Sequence, residues 1–110
     1  MAAIKSYTDI EQSRKLAEIL PLESADMYRV FENNAETRVY FGKTPTAYFV
    51  SKPCWSLTAL LEVLPNENML VKTTDSEYYC LAKDIMTKHY NNPIDACYEM
   101  VLELKRKELL

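Results

Sequence analysis

The sequence predicts an α+β domain in which three helices pack on one or two small antiparallel sheets built from hairpins or a meander. Three observations carry that expectation. Helix-start signals stand at Thr8-Asp9-Ile10-Glu11, at Ser56 and at Asn92-Pro93. Aromatic and β-branched residues fill the stretches between them, punctuated by turn residues. The 110 residues, 48% hydrophobic and 26% charged, suit one core and one solvated shell. Residues 1–110 therefore read as a single globular domain, with residues 1–7 as a disordered tip. The same composition excludes disordered, collagen-like and coiled-coil classes.

The first helix is expected over residues 9–20. Thr8 and Glu11 have the spacing in which a hydroxyl and a carboxylate cap each other's backbone N–H groups. Ile10, Leu16, Ala17, Ile19 and Leu20 form its apolar side, and Pro21 stops it. Strands follow at 27–32, 37–41 and 46–50, separated by Asn33-Asn34 and by Gly42-Lys43-Thr44-Pro45. In a meander, Val39, Phe41, Ala47 and Phe49 share one face, and Arg38, Tyr40, Tyr48 and Val50 the other.

Ser56 caps a second helix carrying Leu57, Leu60, Leu61 and Leu64, with Trp55 and Leu60 placed as a hydrophobic staple and Pro65 as the stop. Residues 69–73 and 77–82 form a hairpin around Thr74-Asp75-Ser76, and residues 85–90 are a further strand or a helical extension. Asn92, Pro93 and Asp95 start the last helix, since Asn caps, Pro fits the first position and Asp complements the dipole. Its apolar stripe is Ile94, Cys97, Val101 and Leu104. Asp95, Glu99, Glu103 and Lys107 form a row read as solvated. Glu18–Glu23 echoes Glu62–Glu67, which reads chiefly as two Leu-Pro helix stops and otherwise as a duplicated helix-hairpin unit.

Thirteen Lys and Arg against sixteen Asp and Glu give a formal charge of −3 and a pI near 5.2, so no strong field exists to gather nucleic acid. Lys105, Arg106 and Lys107 complement the end of the last helix. Three unpaired-looking cysteines, Cys54, Cys80 and Cys97, and no secretory leader in residues 1–20 point to the cytoplasm, and no apolar run reaches the roughly 18 residues that span a bilayer.

His89 is the only histidine and Gly42 the only glycine. A zinc site lacks ligands at usual spacing, and both glycine-rich phosphate motifs are absent, so the expectation is no catalytic, cofactor-binding or metal residue and no cofactor. A Cys54 or Cys97 nucleophile paired with His89 is the enzymatic alternative, although Cys97 falls on an apolar helix stripe, where a thiol acts as a small hydrophobe. Residues 56–108 follow the element order of double-stranded-RNA-binding domains if 85–90 is a strand. Asp95, Glu99 and Glu103 oppose phosphate contact there, which ranks nucleic acid third.

The blocks Pro53-Cys54-Trp55-Ser56-Leu57 through Leu64-Pro65, Asn92-Pro93-Ile94-Asp95-Ala96-Cys97-Tyr98-Glu99-Met100, and Ser24-Ala25-Asp26-Met27-Tyr28 carry a likeness. The chain resembles small uncharacterised proteins of gut anaerobes and of their prophages and mobile elements, over residues 8–110. The resemblance implies a mobile-element setting and a cytoplasmic context, and supplies no catalytic residue. Eight tyrosines remain to be explained, and tyrosine is enriched where proteins meet. Tyr40, Tyr48 and Trp55 are therefore the candidate interaction surface of a non-catalytic module that binds a protein partner or itself.

Overall fold

The computed structural model describes residues 5–33, 35–43 and 50–110. Their elements run α1 (Ile10–Ile19), a 3₁₀ turn (Leu22–Ser24), β1 (Met27–Glu32), β2 (Ala35–Phe41), β3 (Val50–Cys54), α2 (Leu57–Val63), β4 (Met69–Lys72), β5 (Tyr78–Ala82), β6 (Ile85–Met86) and α3 (Pro93–Arg106). The result is an α+β fold with three helices and two antiparallel sheets, ordered β2-β1-β3 and β4-β5-β6. Residues 44–49, including Ala47, Tyr48, Phe49 and most of the expected strand 46–50, lie outside the described residues.

The cap of α1 sits one residue later than expected. Asp9 accepts from the Gln12 backbone N–H at 2.8 Å while the Gln12 side chain accepts from the Asp9 N–H at 3.1 Å. Thr8 is unavailable for that role because it is fully buried. Its hydroxyl lies 2.7 Å from the Ser13 hydroxyl and accepts from the Trp55 backbone N–H at 3.1 Å. Lys5 and Tyr7, expected in a disordered tip, belong to the folded body. Lys5 bonds Asp9 and Asp95, and Tyr7 bridges Ser56.

The first sheet is not a meander. β1 is its centre, paired with β2 through a hairpin whose turn residue Asn33 has a positive φ, and with β3 on the other edge. Met27 of β1 pairs with Phe41 on one side and with Cys54 on the other, and Met27 and Arg29 are the buried positions of the strand. Gly42 ends β2 at φ +124°, a conformation costly for any residue with a Cβ, and its N–H reaches the Asp26 carbonyl at 2.8 Å.

α2 begins at Ser56, as expected. Leu20 and Leu64 close α1 and α2 in extended conformation, which a following proline imposes on the residue before it. The two Leu-Pro sites are thus equivalent stops. The units they open differ, since β1 is central in its sheet and β4 is an edge.

Residues 85–90 form a short strand and then an irregular return. After Met86 the Thr87 N–H still donates to the Cys80 carbonyl at 3.0 Å, but the Thr87 hydroxyl, rather than a carbonyl, accepts from the Cys80 N–H at 2.9 Å, and the next bridge is Tyr78–Tyr90. The helix, three strands, helix order is present from Leu57 to Arg106. The core joins Leu16 and Leu20 of α1, Trp55, Leu60 of α2, Cys80 and Ala82 of β5, and Ile94, Cys97, Met100, Val101 and Leu104 of α3. No helix among the described residues is long and apolar enough to cross a membrane.

Candidate functional site

Cys54, Cys80 and Cys97 are free and fully buried. Burial pushes the Cys54 thiol up to about 11 despite the neighbouring Arg29 guanidinium. The Cys97 thiol is pushed up by its hydrogen bond with Cys80 and then by burial. His89 stacks on Tyr79, ring centroids 4.9 Å apart, with Nδ1 3.5 Å from a Glu77 carboxylate oxygen. Tyr79 and Cys80 are consecutive in β5 and so point to opposite faces of the sheet. His89 therefore stands on one side, and the Cys80–Cys97 contact on the other. Cys54 belongs to the first sheet, opposite Met27. The geometry does not bring His89 to Cys54 or Cys97. Among the described residues no group of three or more His, Cys, Asp or Glu is placed to hold a metal ion.

Trp55 is not a surface residue. It is fully buried, its indole N–H donating to the Ser24 hydroxyl at 3.0 Å and its backbone N–H to Thr8. As the residue before the α2 cap it is drawn inward. Asp26 accepts from the Ser56 N–H at 2.9 Å and from the Ser56 hydroxyl, while that hydroxyl accepts from Ala59 N–H, fastening β1 to the start of α2. Tyr40 is 40% exposed and stacks on Tyr28 at 5.4 Å, and Tyr48 lies outside the described residues.

Among the described residues, one apolar surface is one that sequence patterning did not pick out. In the second sheet, Leu70, Cys80, Ala82 and Ile85 face the helices as part of the core or against it. The alternate residues face outward. Met69, Leu81 and Met86 stand in register across the three strands, and Val71 pairs with Tyr79 beside them, the Tyr79 ring carrying His89. Met69 is 57% and Met86 61% exposed, while Val71, Tyr79 and Leu81 are half-buried by their neighbours. Exposed charges of both signs stand at each end: Glu67, Lys83 and Asp84 at one, Asp75, Glu77 and Lys88 at the other. Alternation in 69–82 held the signal, but the faces become distinct only once register and helix position are known.

Compared with protein-family models, curated proteins and solved structures, the chain matches none.

Proposed function

We propose that the protein is a non-catalytic interaction module of mobile-element type that docks through the outward face of β4-β5-β6, and that a second copy of the chain is its partner there. The supporting observation is the cross-strand row Met69, Leu81 and Met86 beside Val71 and Tyr79, an apolar patch rimmed by charge. Methionine adapts its shape to an opposing surface and tyrosine offers large area at low entropic cost, the composition of contact surfaces. Both signs at each end suit a two-fold pairing, in which each patch meets its own copy and a cation at one end finds an anion. A net charge of −3 opposes it only weakly.

The prediction is a transient contact, with a dissociation constant on the order of tens of micromolar. Sedimentation equilibrium tests the reading. The parent chain is expected to dimerise in that range, and Met86→Lys to remain monomeric with its thermal melt unchanged, since the residue is exposed within one chain. A parent that stays monomeric at ten times that concentration, or a Met86→Lys variant that pairs as the parent does, contradicts it.

A further inference from the structure

A second region, independent of that face, has the makings of a ligand site. Between α1 and the first sheet lies a cleft of about 720 Å³, within the usual range of about 300–1,000 Å³ for small-molecule sites. Ile10 and Ala17 of α1 and Phe31 of β1 give it apolar walls, and Arg14, Arg29 and Lys52 line it with cations against the single carboxylate of Glu18.

The placement of those cations is the informative point. Arg29 and Lys52 are directly opposed across β1 and β3, an arrangement that like charges disfavour. Arg29 is 4% exposed and fully engaged, its Nε donating to Glu36 at 3.1 Å, Nη1 to the Ser13 hydroxyl at 2.9 Å and Nη2 to the Thr8 carbonyl, with its guanidinium 5.4 Å from the Tyr7 ring centre. Glu36 thus neutralises one of the two. Lys52 is exposed and has no ion pair among the described residues. Arg14 pairs with Glu11, but both side chains are more than two-thirds in solvent, where such a pair is worth little and exchanges readily. A largely apolar cleft with the unpaired Lys52 in its lining is complementary to a molecule with an apolar body and one anionic head. We infer that this cleft binds an amphiphilic carboxylate, its chain against Ile10, Ala17 and Phe31 and its carboxylate at Lys52.

Decanoate is the probe, and decan-1-ol its neutral counterpart, each titrated into the ¹⁵N-labelled protein with amide shifts as the readout. Decanoate is expected to shift residues of α1, β1 and β3 with submillimolar affinity, and decanol to bind about fivefold or more weakly. Lys52→Met should weaken decanoate by a similar factor and leave decanol unchanged, while Ala17→Trp, filling the cleft, should remove both. Equal affinity for the two probes, decanoate binding unaffected by Lys52→Met, shifts centred on Met69 and Met86, or no shift at millimolar probe would overturn the assignment. So would loss of self-association in the Lys52→Met variant, which would make the occupant a second copy. Lys52 is exposed, so its variant remains folded and decisive if Ala17→Trp does not.

Discussion

At the scale of single residues, chemistry and structure separate cleanly. The side chains with reactive potential are spent on packing. Cys54, Cys80 and Cys97 have no accessible surface, and burial raises the Cys54 thiol to about 11, so little thiolate exists at neutral pH. Titration with an aromatic disulfide reagent at pH 7.5 is expected to find no thiol reacting in the folded protein and three after guanidinium is added; prompt reaction of one native thiol would revive a Cys–His scheme. Asp95 shows the reverse case. The sequence pattern places it in a solvated row. It accepts instead from Lys5 at 2.8 Å, Gln12 at 2.7 Å and Asn92 at 2.8 Å, joining the starts of α1 and α3. Burial alone would raise its carboxyl, but those donors together hold it below the ordinary carboxylate value. A carboxylate lowered by folding adds stability above its unfolded value of about 4, and loses that contribution as the pH falls through the folded value. Asp95→Asn should therefore cost about 1 kcal/mol at pH 7 and match the parent near pH 2 in urea melts, giving a shallower acid limb. An equal cost at both pH values would show that the charge contributes nothing.

At the scale of elements, what could be read from the chain depended on whether the signal was local. α3 was legible because Asn92, Pro93 and Asp95 each act on their own backbone, and Asn92 does accept from the Asp95 N–H at 2.9 Å. α2 and its Ser56 cap were legible for the same reason. The cap of α1 slipped by one because Thr8 and Asp9 are both good caps, and the choice was made by a distant partner, the Trp55 backbone. The order of the first sheet was beyond local reading, since β3 can lie beside β1 or β2 with the same alternation, and only the long-range pairing of Met27 with both Phe41 and Cys54 defines the centre. The β5–β6 connection shows a local cost. Lys83 and Asp84 both have positive φ, 51° and 63°, as a two-residue type I′ turn requires, yet neither is Asn or Gly. Asp84→Gly should stabilise the protein by about 1 kcal/mol, read from the urea midpoint at constant slope. A destabilised variant would mean that Asp84 makes a compensating contact.

At the scale of the whole molecule, α3 covers one side of the second sheet, α2 packs on α3 and α1 packs on β3, while Met69 and Met86 on the other side of that sheet are exposed. The expected surface of Tyr40, Tyr48 and Trp55 loses Trp55, and Tyr48 lies outside the described residues. Trp55 is interior, Tyr40 is stacked on Tyr28, and the face proposed for contact is built from Met69, Val71, Tyr79, Leu81 and Met86. Methionines at strand positions gave no sign of this from the sequence, because a methionine facing a helix and one facing water look alike until the register is known. The two proposals rest on separate surfaces: this apolar face, proposed to meet a second copy, and the cleft under α1, proposed to take a small amphiphile.

An isotope-filtered NOE experiment on a mixture of methyl-labelled and unlabelled protein reads the proposed contact most directly. The account predicts intermolecular cross-peaks from the methyl groups of Met69 and Met86 to Tyr79 and Leu81 of the other copy, growing with concentration. Cross-peaks that map instead to Phe41 on β2, or methyl resonances that stay unchanged and silent at millimolar protein, would contradict it.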